Sequence, residues 1–294
     1  MIVHYHIHEV SEYINWVYFF HAWGFQPRYA SIANIHGCDA CRAMWLVRFP
    51  EEERSKAAEA MQLFKEANRM LRLLDEKGCQ THAIFRLTEA NSEENDLWLD
   101  GKRFPLLRQQ NNRPGEPYLC LSDFVRPLSG GIKDQVGIFV TTIDRETESL
   151  YPDDTYRRML VQTLADRLAE ATAEKLHEQV RKQIWGYAPN EQLSIHQLHN
   201  EEFQGIRPAV GYPSLPDLSV NFLLDEWLDM KRIGICLTEN GMMQPHASVS
   251  GLMLSHPASQ YFSVGKISEE QLNDYAKRRE LPIDEMRKFL ATNL

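Results

Sequence analysis

The chain has 294 residues, of which 43% are hydrophobic and 25% charged, so its composition is that of a globular protein and argues against disorder. The 32 Lys and Arg residues against 41 Asp and Glu residues give a formal net charge of −9, which disfavours nucleic acid as a partner. The longest apolar runs, such as 136–140, have the length of strands, so no membrane partner is predicted. Five cysteines spread through such a chain do not resemble a secreted disulfide framework, and we expect a reducing, cytoplasmic compartment.

The predicted elements mix helices and strands without regular alternation, which favours an α+β fold. Apolar residues at three- and four-residue steps, together with capping residues, predict helices at 51–76, 153–184, 219–231, 268–279 and 283–290. Strand-like runs occur at 81–87, 96–99, 118–121, 136–142, 234–237, 248–254 and 261–267. No repeat or linker interrupts this order, so we expect one domain over residues 1–294.

The segment 185–216 is too rich in Pro, Gly and Tyr for regular structure, and such loops often carry function. Within it, Arg207 is followed by proline, and a rigidly held guanidinium can bind a carboxylate through two hydrogen bonds. Ala209 and Gly211 are small enough for a flat ligand to approach the backbone, and Tyr212 offers a ring beside it. A core loop in which Arg207 is only ion-paired is an equally good interpretation.

Acidic residues recur at four-residue steps on the long predicted helix and therefore share one face: Asp166, Glu170, Glu174 and Glu178. One interpretation is a solvated face on which these acids alternate with basic residues. The other is that one or two of them meet a cation near Arg207. Spacing alone leaves both interpretations open.

Two patterns have the residue types of metal sites. Cys38 and Cys41 have C-x-x-C spacing, but no second pair accompanies them, so zinc or redox use is only weakly indicated. His4, His6 and His8 would share one face of a strand, and a polar strand face near the terminus explains them better than a metal does. We assign no metal site from the sequence.

Several common enzyme motifs are missing from the chain. It has neither a P-loop nor a G-x-G-x-x-G turn, so classical phosphate and dinucleotide sites, and the Rossmann-type methyltransferase fold, lack support. Ser250-Gly251 lacks the first glycine of a nucleophile elbow, and neither His-Glu pair has the second histidine of a zincin. The motifs therefore point to no catalytic residue.

A family resemblance connects these segments. The string Arg207-Pro-Ala-Val-Gly-Tyr-Pro213 resembles the R-P-A-x-G-Y-P signature of the activation domain of cobalamin-dependent methionine synthase. Other strings resemble the same family in the same order: Tyr13-Ile-Asn-Trp16, Phe19-Phe20, Leu63–Asn68, Leu164–Ala171, Leu176–Glu178, Trp185–Glu191, Gln204-Gly205, Leu237–Glu239, Ala247–Gly251, Ser255–Pro257 and Tyr275-Ala276. The resemblance begins at about Tyr13, which leaves residues 1–12 as a predicted N-terminal extension.

The resemblance implies a single C-shaped α+β domain with a twisted antiparallel sheet and flanking helices. It also implies that the chain binds S-adenosylmethionine and docks over a cobalamin-binding module of methionine synthase. There, a methyl group from S-adenosylmethionine and an electron from a flavodoxin-like reductase would restore methylcobalamin from inactive cob(II)alamin. In this family the cobalt does the chemistry, and the protein supplies positioning and electrostatics.

The resemblance also implies roles for individual residues. Arg207 matches the arginine that holds the methionyl carboxylate, and Ala209 matches the residue whose backbone meets the ligand. Tyr212 matches a tyrosine near the corrin face. The other positions implied in S-adenosylmethionine binding are Asn15, Glu170, Glu201, Gly211, Tyr261 and Phe262.

Two departures from the family pattern shape the hypotheses. Asn15 stands where the family often has aspartate, so it can accept a hydrogen bond from an ammonium group but carries no charge. The sequence contains no D-x-H-x-x-G cobalamin signature and no homocysteine or folate module. We therefore expect a reactivation subunit that acts on a cobalamin protein in trans and does not make methionine alone. The alternatives are an S-adenosylmethionine sensor without a catalytic partner, or a piece of a longer synthase.

Overall fold

The computed structural model describes all residues from 1 to 294, and its helices and strands are mixed along the chain. The amino-terminal part contains β1 (Ile2–His6), α1 (Ile7–Val10), α2 (Trp16–Ala22), α3 (Asp39–Val47) and α4 (Arg54–Glu76). The middle part contains β2 (Gln80–Glu93), β3 (Asp96–Leu99), β4 (Lys102–Pro105), β5 (Asp134–Ile143) and α5 (Thr155–Gln179). The last part contains α6 (Ile195–His199), α7 (Val220–Leu228), β6 (Cys236–Leu237), β7 (Met243–Gln244), β8 (Ser248–Met253), α8 (Glu269–Arg278) and α9 (Ile283–Phe289).

One antiparallel sheet of six strands forms the centre of the molecule, in the order β4-β3-β2-β5-β8 with β1 also paired to β2. Strand β2 has 14 residues, so it pairs with β1 along its first half and with β3 along its second half, on the same edge. On its other edge β2 pairs with β5, from Thr81 opposite Ile143 to Ala90 opposite Asp134. Strand β5, which the sequence predicts at 136–142, thus lies between β2 and β8 inside the sheet.

The two faces of the sheet bury alternate residues of β5, because successive side chains of a strand point to opposite sides. Phe139 and Ile143 belong to the core that contains α4 and α5, whereas Ile138 and Val140 belong to the core that contains α7. Helix α5 packs on β8 as well as on β5. One flank of this helix therefore lies beside the loops that run along β8.

Helix α5 has the cap and the length that the sequence predicts. The Asp154 side chain accepts a hydrogen bond from the Arg157 N–H at 3.0 Å, which satisfies a free donor of the first turn. The helix reaches Gln179 and closes with a π-helical turn at Val180–Ile184. No helix of the structure, α5 included, combines the length and the apolar character that crossing a bilayer requires.

Two runs that the sequence predicts as strands are irregular. In residues 118–121, the Leu119 N–H donates to the side chain of Gln109 at 3.0 Å and not to a strand. In residues 261–267, the Val264 N–H donates to a loop carbonyl at 2.9 Å. Both runs contain the apolar residues of strands because parts of them are buried, but no neighbouring strand completes their hydrogen bonds.

Residues 1–12, predicted as an extension, are built into the fold. Strand β1 pairs with β2 in register, from Ile2 opposite Ile84 onward. Three side chains of this segment are buried in the core that contains α4 and α5, namely Tyr5, Ile7 and Val10. This segment therefore contributes one edge of the sheet and part of its apolar packing.

The three histidines that the sequence places on one strand face are divided between two elements. His4 and His6 lie in β1, whereas His8 lies in α1. The Nδ1 of His4 is 2.7 Å from the Nδ1 of His82, and the Nδ1 of His8 is 3.0 Å from a carboxylate oxygen of Asp75. The His6 ring stacks on the His8 ring with centroids 5.5 Å apart, whereas the His4 ring pairs with His82.

Candidate functional site

A cavity of about 570 Å³ lies between α5, the loop 206–214 and the segment 261–263. The turn after α6 and residues at the start of α2 close its remaining sides. Eight of the nine residues that the sequence proposes for the site line this cavity: Asn15, Glu170, Glu201, Arg207, Ala209, Tyr212, Tyr261 and Phe262.

Gly211 is the ninth proposed residue, and it shapes the loop without lining the cavity. Its φ of +86° lies in the left-handed region, which favours glycine. A Cβ at this position would lie 3.0 Å from the Leu218 side chain. The Gly211 N–H donates to the Leu215 carbonyl at 2.8 Å. The structure therefore gives Gly211 the role of a turn residue.

Residues 206–210 run beside β8 almost as an additional strand. Four backbone hydrogen bonds of 2.9 to 3.0 Å join this segment to β8 and to Leu254. The approach depends on Gly251, because a Cβ there would collide with the Pro208 carbonyl oxygen and lie 2.9 Å from the Ala209 Cα. The absence of a side chain at this position therefore allows the loop to reach the sheet edge.

Ala209 presents a free backbone donor. It lies opposite Gly251 in an antiparallel bridge whose hydrogen bonds are made by the flanking residues, so its own N–H points away from β8. This N–H donates to no group of the protein. Arg207 has the same orientation two residues earlier, and its N–H donates to the Tyr261 hydroxyl at 2.8 Å. The Ala209 N–H thus remains available to a ligand.

Arg207 and Glu174 form an ion pair at the cavity wall. The Nη2 of Arg207 is 3.2 Å from the Oε2 of Glu174, and the two side chains are only 13% and 12% exposed. Burial opposes the guanidinium charge, but Glu174, Tyr261 and Glu170 together outweigh it, and the pKa of Arg207 is raised. The Oε1 of Glu174 is buried and has no hydrogen-bond partner. The pair therefore leaves the remaining N–H groups of the guanidinium and one carboxylate oxygen for a ligand.

His177 supports Arg207 from the side of the core. Its Nδ1 is 3.4 Å from the Arg207 Nη1, and its Nε2 is 3.3 Å from the Tyr187 hydroxyl. A guanidinium only donates, so Nδ1 accepts and the ring proton sits on Nε2. Burial, together with the charges of Arg181 and Arg207, holds the pKa of His177 well below its usual range. A neutral imidazole therefore positions the guanidinium without adding charge.

Glu170 lies one turn before Glu174 and holds a tyrosine at the cavity mouth. The Tyr212 hydroxyl donates to the Oε1 of Glu170 at 2.6 Å. Burial, followed by the Glu170 carboxylate, raises the pKa of Tyr212, so the phenol keeps its proton. Tyr212 is nevertheless 51% exposed. Its ring is therefore oriented by Glu170 and accessible from outside.

Glu201 adds a third carboxylate to the cavity, in the turn after α6, where its φ is +58°. Burial raises the pKa of Glu201; Arg207 opposes this rise and Glu174 adds to it. The lining thus contains three carboxylates, those of Glu170, Glu174 and Glu201, against the guanidinium groups of Arg167 and Arg207. This excess of negative charge favours a ligand that carries positive charge.

Asn15 connects the amino-terminal segment to the cavity. Its Oδ1 caps α2 by accepting a hydrogen bond from the Val17 N–H at 3.1 Å. A second lone pair on the same oxygen stays available to a ligand donor. The side chain can therefore take part in binding through a hydrogen bond, without the charge of an aspartate.

Of the four acids on one face of α5, the middle two line the cavity. Glu170 and Glu174 are these residues, whereas Asp166 lies 3.4 Å from a ring nitrogen of His246 and Glu178 pairs with a lysine one turn later. The acidic face is therefore divided: its middle two residues reach the cavity beside Arg207, and the outer two lie against basic side chains. A cation at the middle two residues stays a prediction.

Several lining residues have no site role assigned from the sequence: Tyr13, Tyr18, Arg167, His199, Val249 and Ser263. Tyr13 and Tyr18 belong to the aromatic-rich segment 13–25. Tyr13 donates to Glu178 at 2.7 Å, which brings the segment against α5. The aromatic density of this segment indicates burial, and it does not distinguish a cavity wall from a core.

Comparison with known proteins identifies the family. Residues 6–280 match the family model described as the vitamin B12 dependent methionine synthase, activation domain. The chain belongs to this family. The match begins inside β1, so it includes half of the predicted extension.

A solved structure has the same fold. It is the crystal structure of the MetH reactivation domain bound to AdoHcy, with 37% sequence identity to this chain and a TM-score of 0.87. The similarity covers 100% of this chain and 90% of that one. The family resemblance and the α+β fold with a curled antiparallel sheet, both expected from the sequence, are confirmed.

Proposed function

We propose that this chain binds S-adenosylmethionine in the cavity and supports reductive methylation of cob(II)alamin on a cobalamin-binding module of methionine synthase. The observation that carries the proposal is a guanidinium with free donors beside a buried carboxylate oxygen without a partner. S-adenosylmethionine carries a carboxylate, an ammonium group and a sulfonium, which match these charges. The related reactivation domain was solved with AdoHcy, which shares the amino acid and adenosine parts of this ligand.

The amino acid end of the ligand fits the pair of Arg207 and Glu174. The guanidinium would bind the carboxylate, and the Oε1 of Glu174 would accept from the ammonium group on the neighbouring carbon. The cavity of about 570 Å³ is within the size range of small-molecule sites. The pair thus accounts for both charges of the amino acid.

The rest of the ligand fits the mouth of the cavity. Glu170 lies one turn from Glu174 on α5, about 6 Å along the helix, and would face the sulfonium. The free N–H of Ala209 would donate to the ligand, and the rings of Tyr261 and Phe262 would cover its adenosine. This orientation directs the methyl group toward Tyr212 and the outside.

When bound, S-adenosylmethionine supplies the methyl group that the partner's cobalamin accepts, with an electron from a flavodoxin-like reductase. The residues of this chain hold the ligand and present it. Tyr212, oriented by Glu170 and half exposed, would contact the corrin at the mouth of the cavity. The chain therefore acts by positioning and electrostatics.

Isothermal titration calorimetry tests the binding site. We expect wild-type protein to bind S-adenosylmethionine, and Arg207→Ala to lose about 10- to 150-fold in affinity, from about 1.5–3 kcal/mol for hydrogen bonds between charged groups. Arg207→Lys should recover only part of the lost affinity, because an ammonium group cannot make the two parallel hydrogen bonds of a guanidinium. Arg72→Ala, at an exposed arginine of α4, is the matched control. Undiminished binding by Arg207→Ala would remove the basis of the site.

A reconstitution in trans tests the reactivation role. The purified chain, S-adenosylmethionine and a reductant are added to a cob(II)alamin-loaded partner, and methylcobalamin is followed by its absorption spectrum. We expect formation with wild type, slower formation with Tyr212→Ala even at saturating S-adenosylmethionine, and no change with Tyr118→Ala, at an exposed tyrosine outside the cavity. Ligand binding without methylcobalamin would favour the sensor over the reactivation subunit.

A further inference from the structure

A second group of potential ligand atoms lies at the start of α3, and none of its residues lines the cavity. An imidazole nitrogen of His36 and the thiol sulfurs of Cys38 and Cys41 are all within 4.8 Å of one another. The sequence indicates only the C-x-x-C pair, whereas the fold of the preceding turn adds the imidazole. Two sulfurs and one nitrogen are a donor set that zinc prefers.

The helix organises the two cysteines. Cys38 is the N-cap residue of the nine-residue helix α3, and its Sγ accepts a hydrogen bond from the Cys41 N–H at 3.3 Å. The positive end of the helix dipole stabilises negative charge at this position. Backbone hydrogen bonds of this kind orient cysteine ligands and stabilise their charge. The turn is therefore arranged for a thiolate.

A divalent cation held by these three donors would stabilise the thiolate form of both cysteines, because a thiol that coordinates a metal ion is deprotonated.

We propose that His36, Cys38 and Cys41 bind one Zn²⁺ ion, at a site separate from the proposed S-adenosylmethionine cavity. Two sulfurs about 2.3 Å from a tetrahedral ion are about 3.8 Å apart, so rotations of side chains bring the three donors to the required distances. His36 is exposed and the cysteines are half-buried, so the fourth position faces solvent and is filled by water or by a donor from another molecule.

The ion has a structural consequence for the amino-terminal helices. Trp45 of α3 is buried in the core that contains α4 and α5, and its Nε1 donates to the Ser31 hydroxyl at 2.9 Å. A metal ion bound to His36 and to the two cysteines would link the segment before α3 to the first turn of that helix. The other end of α3 is already packed in the core through Trp45. Metal binding should therefore stabilise this segment.

Metal titration of the reduced full chain tests the proposal. We expect one Zn²⁺ per chain by elemental analysis, and thiolate-to-metal absorption bands when Co²⁺ replaces zinc. Cys38→Ser, Cys41→Ser and His36→Ala should each weaken binding by about tenfold or more. Cys236→Ser, which removes an exposed cysteine outside the cluster, should change neither the stoichiometry nor the bands.

Two results would overturn the zinc site. One is equal metal content in wild type and in the double variant Cys38→Ser, Cys41→Ser. The other is a chain purified with Zn²⁺ whose mass is lower by two hydrogen atoms and whose peptide map shows a Cys38–Cys41 disulfide. That result would assign the pair to redox chemistry. Because neither cysteine lines the cavity, S-adenosylmethionine affinity should be unchanged in Cys38→Ser, so the two proposals fail independently.

Discussion

Glu174 contacts Arg207 through one carboxylate oxygen at 3.2 Å, while its other oxygen is buried without a hydrogen-bond partner. A buried acceptor without a partner costs about 1–3 kcal/mol, and a hydrogen-bond donor of a ligand would recover this cost. Both residues also line the cavity. This arrangement favours a ligand site over the core ion pair that the sequence leaves equally open.

The two acids of α5 that line the cavity should respond differently to the charge on the ligand sulfur. We expect Glu174→Gln to weaken S-adenosylmethionine and S-adenosylhomocysteine binding by a similar factor, about 10- to 150-fold, because both ligands carry the ammonium group. Glu170→Gln should weaken S-adenosylmethionine more, because only that ligand has a charged sulfur. Calorimetry with both ligands measures the ratio of affinities.

The matched control for these variants is Glu59→Gln, at an exposed glutamate of α4, which should leave both affinities unchanged. An affinity ratio that stays the same in Glu170→Gln would argue against the sulfonium contact. If Glu174→Gln weakened the binding of S-adenosylmethionine but not that of S-adenosylhomocysteine, Glu174 and not Glu170 would face the sulfonium.

Ligand affinity should depend on pH through Glu201. Burial, opposed by Arg207 and assisted by Glu174, raises the pKa of Glu201 above 4.5, and only its ionised form attracts a cationic ligand. Affinity should therefore be full above the raised pKa and fall as the pH is lowered through it. Dissociation constants measured from neutral pH down to 4.5 should show this decline in wild type and a flatter profile in Glu201→Gln. Identical profiles would exclude Glu201 as the titrating group.

Folding stability should depend on pH through His177. The unfolded chain protonates this histidine below about 6.5, whereas the buried ring stays neutral because its pKa in the folded protein is well below that value. The unfolded state therefore binds more protons, and the free energy of unfolding falls with decreasing pH by up to about 1.4 kcal/mol per unit, until the folded pKa is reached. Urea unfolding at several pH values should show this slope in wild type and a smaller one in His177→Gln. Equal slopes would contradict a neutral buried imidazole.

The close approach of loop and sheet should fail when Gly251 gains a side chain. In Gly251→Ala the Cβ would collide with the Pro208 carbonyl and displace the loop that carries Arg207, with about 1–3 kcal/mol lost from the free energy of unfolding. S-adenosylmethionine affinity should fall as well. Gly130→Ala is the control, because its Cβ would meet only the Pro127 side chain, at 4.0 Å. Thermal unfolding and calorimetry measure both effects, and a stable, fully binding Gly251→Ala would refute this account of the loop.

Local pattern determines much of this protein. The four-residue steps of apolar residues predict α5, and the strand-like runs predict the sheet, since each of these signals lies within one segment of the chain. The motifs and their order identify the family. The runs at 118–121 and 261–267 show the limit of such signals, because burial of their apolar residues does not require strand pairing.

Only the tertiary structure decides which side chains converge. Glu174 and Arg207 are 33 positions apart, and the sequence presents one as a member of an acidic helix face and the other as a loop arginine. Their contact arises because α5 packs beside the loop that Gly251 allows onto β8, and the free direction of the Ala209 N–H follows from that same pairing. The approach of His36 to two cysteines likewise depends on a turn. The spacing of residues along the chain predicts helices and strands. The contacts of a binding site depend instead on distances between side chains, which are set only when the helices, strands and loops pack together.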